Sequence, residues 1–235
     1  MQDKNYILKL PQINVSFDWN ISDGEFLLIA GGRQPNVEWL KKINLDRPLW
    51  CIDHGIDFCR ENNFIPKFLI GDFDSANGCS VDWAIKNKVQ IERHPVDKDL
   101  TDTQLTLKHL EDFKDAFAII TGVFGGRFDH LYSTILSCAN AKIKNCLVDE
   151  REAVIFLNSR ENLKIEFKIK PLALSLLPMT SACHGVSIDG VHWPLNNATL
   201  YQSFPNAVSN RIESDYINAS LNEGILAIYI CFDEA

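Results

Sequence analysis

The sequence has no apolar run approaching the roughly 18 residues that a membrane-crossing helix needs. Its seven cysteines (Cys51, Cys59, Cys79, Cys138, Cys146, Cys183 and Cys231) are odd in number and scattered. None stands in a CxxC pair, so neither a disulfide framework nor a zinc site is indicated. Repeats of fixed period and low-complexity tracts are also missing, and the six histidines show no metal-ligand spacing. Basic residues are in the minority, with 23 Lys and Arg against 31 Asp and Glu and a formal charge of -8. That balance excludes the basic stripe with which a nucleic-acid groove replaces counterions. The opening Met1-Gln2-Asp3-Lys4-Asn5 lacks the basic-then-apolar order of a secretion signal. The expectation is a cytoplasmic protein with reduced thiols that binds neither nucleic acid nor membrane. A small anionic ligand stays compatible with this acidity if a metal ion or a local arginine carries the positive charge.

What is present is enough for a substantial core: 235 residues, 46% of them hydrophobic, suit one large domain or two modest ones. In the first part, short apolar runs alternate with helical patterns. Strands are predicted over 25–30, 48–52, 67–70, 89–94 and 116–121. Between them "NVEWLKKI", "IDFCRENN", "SVDWAIKNK" and "TDTQLTLKHLEDF" read as helices, and a longer helix is predicted over 128–141. This rhythm indicates an α/β fold with a mostly parallel sheet, which binds ligands at the carboxyl ends of its strands. After Asp149 the period changes to short alternating runs with turn signals at Asp189-Gly190 and Asn222-Glu223-Gly224. The reading is therefore an α/β domain over 1–149 followed by an all-β domain over 150–235.

Carboxylates crowd the sheet's carboxyl edge. Asp72 and Asp74 follow strand 67–70 at a spacing of two, so both leave an extended segment from one face. Thr101 and Gln104 fit a capping box, which puts Asp99 just before a helix and Asp102 in its first turn, while Asp53 ends strand 48–52. Singly, such aspartates also serve as turn formers and caps. Together they would repel one another by roughly 4 kcal/mol per pair at ~4 Å and an effective dielectric of ~20, which calls for a cation. Mg²⁺ suits an all-oxygen site that leaves room for substrate phosphates. "TGVFGGRFDH" adds Gly125 and Gly126 at a tight turn, then Arg127, Asp129 and His130 at a helix start, where backbone N–H groups and a guanidinium can hold phosphate. "AGGRQPN" at 30–36 also follows a strand, and is either a second ligand loop or a plain glycine turn.

"PKFLIGDFDS", "DKDLTDTQLTL" and "GGRFDH", in this order and at these separations, resemble the thiamine pyrophosphokinase family. The likeness continues in "GVHWPL" (190–195) and in Ser209-Asn210, and covers roughly residues 25 to 230. The resemblance implies an α/β catalytic domain, a C-terminal β-sandwich, and a homodimer with active sites shared between subunits. It also implies transfer of a pyrophosphoryl group from ATP, with Mg²⁺, to the hydroxyethyl arm of thiamine. The metal and base set it implies is Asp72, Asp74, Asp99 and Asp102, with Arg127 on phosphate and Asp129 orienting it. Asp53, Thr101, Gly125, Gly126 and His130 would contact the nucleotide, and Trp193, Ser209 and Asn210 the thiamine. Trp193 would stack on the cationic ring, and its alternative is an ordinary core or hairpin tryptophan. The chain departs from the family's Ala-Asp-Gly-Gly-Ala-Asn at Ile52-Asp53-His54-Gly55-Ile56-Asp57. Because the acidic motifs read only ATP and metal, a pyrophosphokinase for another hydroxymethyl acceptor such as a pterin, and a non-catalytic nucleotide- or metal-binding module, are the alternatives.

Overall fold

The computed structural model describes residues 5–113 and 115–233. The chain begins with two short strands, β1 (Ile7–Lys9) and β2 (Ile13–Phe17), and then enters a compact unit over Ser22–Asp149. There β3 (Glu25–Ile29), α1 (Val37–Asn44), β4 (Leu49–Ile52), α2 (Gly55–Glu61), β5 (Phe68–Gly71), α3 (Gly78–Lys86) and β6 (Gln90–Arg93) follow in strict alternation. After them come α4 (Asp102–Leu110), β7 (Phe117–Thr121), α5 (Phe128–Ala139) and β8 (Lys144–Val148). All five predicted strands and all five predicted helices form, and β8 is an addition. The strand order is β8-β7-β3-β4-β5-β6 with every pair parallel. Burial explains the sequence pattern: β4, β5 and β7 are buried at every position, as a sheet covered on both faces requires, so they read as continuous apolar runs. β6, with Gln90, Glu92 and Arg93 at least half-exposed, is the polar edge strand. No described helix is long and apolar enough to cross a membrane.

β3 has β4 on one side and β7 on the other, so the chain's direction of travel reverses there and leaves a crevice at the carboxyl ends. The loops that leave those two strands are zipped together. Gly32 N–H donates to the Gly122 carbonyl and Arg33 N–H to the Phe124 carbonyl, both at 2.6 Å. A Cβ on Gly32 would lie 2.6 Å from the Gly122 oxygen, and one on Gly122 (φ +71) 2.3 Å from the Ala30 oxygen. Gly32 of "AGGRQPN" thus has a packing reason, because only a bare backbone lets the two loops approach so closely.

The second unit comprises residues 1–21 and 150–235. Its strands are β9 (Glu152–Asn158), β10 (Glu161–Phe167), β11 (Ala173–Pro178), β12 (Ala182–Ile188), β13 (Leu195–Tyr201), β14 (Tyr216–Leu221) and β15 (Ile225–Cys231). They form a β-sandwich: one antiparallel sheet runs β1-β2-β10-β14-β12-β13, and β11, β15 and β9 pair antiparallel in the other. The division near Asp149 falls where the period of the sequence changes. The N-terminal edge of the first domain differs from the reading of 1–149 as one piece. Ile13, Val15 and Phe17 are buried in alternation with half-exposed Asn14 and Ser16, and β2 pairs with β10 from Phe17 opposite Leu163 to Ile13 opposite Phe167. That period-two pattern, only five residues long, builds the chain's start into the sandwich.

Candidate active site

Asp53 sits directly after β4 in a left-handed conformation (φ 44), which aspartate tolerates better than most residues. Its carboxylate reaches across to the loop after β5, where Oδ1 accepts the Phe73 N–H at 3.1 Å and Oδ2 accepts the Ser75 hydroxyl at 2.6 Å. Within that loop the Asp74 N–H donates to Asp72 Oδ1 at 3.2 Å. One carboxylate oxygen from each of Asp53, Asp72 and Asp74 lies within 4.8 Å of the others. The neighbouring Asp72, first, and more weakly the charge of Asp53 push the Asp74 carboxyl above its ordinary range. An all-carboxylate donor set of this kind fits a hard divalent cation such as Mg²⁺.

The remaining aspartates of the expected metal set lie apart from that trio. Asp102, in the first turn of α4, faces Lys98: its Oδ1 is 3.3 Å from Nζ, which also contacts Asp72 Oδ2. The Lys98 side chain is only 14% exposed. Its hydrogen bond holds the Asp72 carboxyl below the usual range, whereas burial raises that of Asp102 in spite of the lysine. Burial opposes the Lys98 charge too, but the two carboxylates overcome it and raise its pKa. Asp99 is brought to the same cleft, though not into the trio. Thr101 makes the expected capping box, accepting Gln104 N–H on its hydroxyl at 3.3 Å while Gln104 Oε1 accepts the Thr101 N–H at 2.9 Å.

The cleft has a volume of about 770 Å³. Gly125, Gly126, Arg127, Asp129 and His130 line it together with Asp53, Lys98, Asp99, Thr101 and Asp102. Gly125 (φ +69) and Gly126 (φ +70) turn the chain into α5. Asp129 takes the Arg127 guanidinium in a two-pronged grip, from Nε to Oδ1 at 3.1 Å and from Nη2 to Oδ2 at 2.6 Å. It also accepts the His130 N–H at 3.1 Å. The two residues at the departed motif brace the same edge. His54 Nδ1 lies 2.9 Å from the Ser75 carbonyl, and nearly buried Asp57 accepts the Asn77 N–H at 3.1 and 3.2 Å.

In the sandwich, Trp193 is 55% exposed, so it is not a core tryptophan. Asn210 clamps its backbone on both sides, with Oδ1 accepting the Trp193 N–H at 3.1 Å and Nδ2 donating to the Trp193 carbonyl at 2.9 Å. The Arg211 guanidinium stands 5.4 Å from the indole centroid and the His192 ring meets it edge-on at 4.6 Å. Ser209 (φ 56) donates its N–H to Ser175 Oγ at 3.1 Å, which fixes the turn that presents Asn210. The asparagine of the Ser-Asn pair therefore holds the aromatic residue in place.

Sequence reasoning passed over three parts of this machinery. Lys98 stands inside the quoted acidic stretch at i,i+4 from Asp102, a readable signal, but its contact with Asp72 spans 26 residues. Ser75 ties Asp53 across 22 residues. Arg33 bonds Asp149 Oδ2 from Nε at 3.1 Å and Nη2 at 2.5 Å, anchoring the loop after β3 to the residue that follows β8.

Two family models match the chain: the thiamin pyrophosphokinase catalytic domain over residues 41–148 and the thiamin pyrophosphokinase vitamin B1 binding domain over residues 162–226. A thiamine pyrophosphokinase of Bacillus subtilis (strain 168) is 25% identical over 203 residues, covering 85% of this chain and 94% of that protein. Among solved structures, the B. subtilis thiamine pyrophosphokinase superposes with a TM-score of 0.77 at 24% identity, covering 89% of this chain and all of the other. The thiamin pyrophosphokinase of yeast gives 0.74 at 18% identity, covering 91% of this chain and 88% of that one. At these identities the structures speak for the fold, and they agree with both units described above.

Proposed function

We propose that this chain, which belongs to the thiamin pyrophosphokinase family, transfers the terminal pyrophosphoryl group of ATP to the hydroxyethyl group of thiamine, giving thiamine diphosphate and AMP. The observation that carries this reading is the cleft in which Asp53, Asp99 and Asp102 face a glycine turn and a paired arginine, with Asp72 and Asp74 grouped beside Asp53. An acidic protein can hold a polyphosphate there only with added positive charge. Asp53, Asp72 and Asp74 would hold Mg²⁺, which when bound neutralises phosphate charge and polarises the reacting phosphorus. The thiamine hydroxyl attacks the β-phosphorus in line, the new P–O bond forms as the bond to the α-phosphate oxygen breaks, and AMP leaves with that electron pair. Asp102, whose carboxyl burial raises, is the proposed acceptor of the hydroxyl proton. Arg127 steadies the phosphate oxygens, and the chain's contribution is mainly positioning and charge.

Trp193, exposed and clamped, is the proposed platform for the thiazolium ring. The proposed assembly is a homodimer in which one subunit's sandwich serves its partner's cleft. Support comes from α5, which starts beside Arg127 and leaves an apolar stripe at helical spacing uncovered: Phe128 is 78% and Tyr132 55% exposed, with Leu131 and Ile135 half-exposed. The seven unbridged cysteines fit a reducing compartment, and the cytoplasm is the proposed location. The test is incubation of purified protein with ATP and thiamine, with and without Mg²⁺ or a chelator. Thiamine diphosphate that forms only with Mg²⁺ is the expected result, and no product from active-fold protein overturns the reading.

A further inference from the structure

Lys98 has a role that neither its type nor its position in the acidic stretch explains. Its side chain is half-buried, its ammonium contacts Asp72 of the carboxylate trio and stands 3.3 Å from Asp102 of α4, and it lines the same cleft as Gly125, Gly126 and Arg127. The ammonium bridges two carboxylates, and one of them, Asp72, belongs to the trio whose oxygens a divalent cation would take. We propose that Lys98 is a built-in counter-ion, which holds the carboxylate of Asp72 in the nucleotide-free protein and turns to the polyphosphate when metal and nucleotide enter. The inference rests on the reading of this cleft as a metal–nucleotide site.

The physical argument is one of exchange. Asp53, Asp99 and Asp102 line the cleft and Asp72 and Asp74 stand beside Asp53, so without an internal cation like charges would drive these loops apart. Lys98 ties the loop after β5 to the first turn of α4 and keeps the edge assembled. Its flexible four-carbon stem and compact charge allow the ammonium to leave Asp72 for a phosphate oxygen in the same cleft without moving the backbone, which a planar guanidinium clamp would not do as readily. Lys98 should then oppose binding of metal alone and favour binding of metal with nucleotide. A lysine that served only as a structural tie, or only as a phosphate contact, would not act in both directions.

The test uses Lys98→Met, which keeps the length and removes the charge, with folding checked by circular dichroism. Two titrations are made by calorimetry, Mg²⁺ alone and then the Mg²⁺ complex of α,β-methylene ATP, whose blocked bond cannot be transferred. Mg²⁺ alone should bind about tenfold more tightly to the variant, the scale of one unit charge removed at a partly solvated contact. The nucleotide complex should bind about tenfold more weakly. Unchanged or weaker Mg²⁺ binding overturns the counter-ion role, and unchanged nucleotide binding overturns the transfer to phosphate. Lys98→Gln, which keeps a donor to Asp72, decides by the same two readouts should Lys98→Met fail to fold. Both are binding measurements, so an absence of thiamine turnover in the parent protein would refute the proposed reaction without touching this result.

Discussion

Asp53 carries two duties that substitution can separate. It adds charge to the trio with Asp72 and Asp74, and it stitches the turn after β4 to the loop after β5 through the Phe73 N–H and the Ser75 hydroxyl. Asp53→Asn keeps an acceptor for Phe73, can reverse its bond with Ser75, and tolerates the left-handed conformation, so stability should stay within about 1 kcal/mol of the parent. It removes the charge, and turnover at fixed Mg²⁺ should fall at least about 100-fold, the scale seen when one electrostatic contact to a reacting phosphate system is lost. Asp53→Ala also loses both hydrogen bonds, worth about 1 kcal/mol each, and places a methyl side chain at φ 44, costing roughly 1 kcal/mol more. The expected destabilisation of about 3 kcal/mol corresponds to a drop in Tm of roughly 6–12 °C. Thermal melts followed by circular dichroism, together with chromatographic detection of thiamine diphosphate, measure both duties. An Asp53→Asn enzyme with more than about a tenth of parent activity would remove Asp53 from the metal site. An Asp53→Ala protein as stable as the parent would refute the stitching.

The sandwich should show the complementary split: Trp193→Ala raises the KM for thiamine by about 10- to 100-fold with little change for ATP, and Asn210→Ala, which only releases the clamp on Trp193, moves the same parameter less. If sites are shared between subunits, mixing inactive Trp193→Ala and Asp72→Asn chains should restore up to one intact site per heterodimer, and no recovery in a heterodimer confirmed by native mass spectrometry would mean that each chain builds its own site. Because the Lys98 hydrogen bond depresses the Asp72 carboxyl, the stability this pair contributes is present above the ordinary aspartate range and is lost as pH falls through the lower folded-state value. Urea midpoints taken from about pH 6 to about pH 3 should therefore fall more steeply for the parent than for Lys98→Met, and parallel curves would count against the pair.

The alternation of apolar runs and helical patterns made the parallel sheet legible because its strands are buried on both faces and its helices on one. The capping box at Thr101 was equally legible, since both of its hydrogen bonds are local. β1 and β2 were not, because three and five residues are too few to establish a period, and β2 finds its other partner, β10, more than 140 residues away. The same distinction runs through the site. Asp72 and Asp74 share a short loop and come together as their proximity in sequence suggests, although Phe73 between them is left-handed (φ 63) and the segment is not the extended one expected. Membership of Asp53 in their group depends instead on β4 and β5 lying side by side. Asp99 reads in sequence as completing the metal site and Asp102 as a base or a ligand, and in the structure both line the cleft outside the trio, with Asp102 facing Lys98. The backbone clamp on Trp193 was not legible, because the asparagine that makes it lies 17 residues further on.

Position-labelled ATP tests the central claim most directly. With Mg²⁺, thiamine and ATP carrying a radioactive β-phosphorus, the label should appear in thiamine diphosphate. With the label on the α-phosphorus it should appear only in AMP, in equal amount. β-Label recovered in ADP, with thiamine monophosphate as the product, would show transfer of a single phosphoryl group and contradict attack at the β-phosphorus in this cleft.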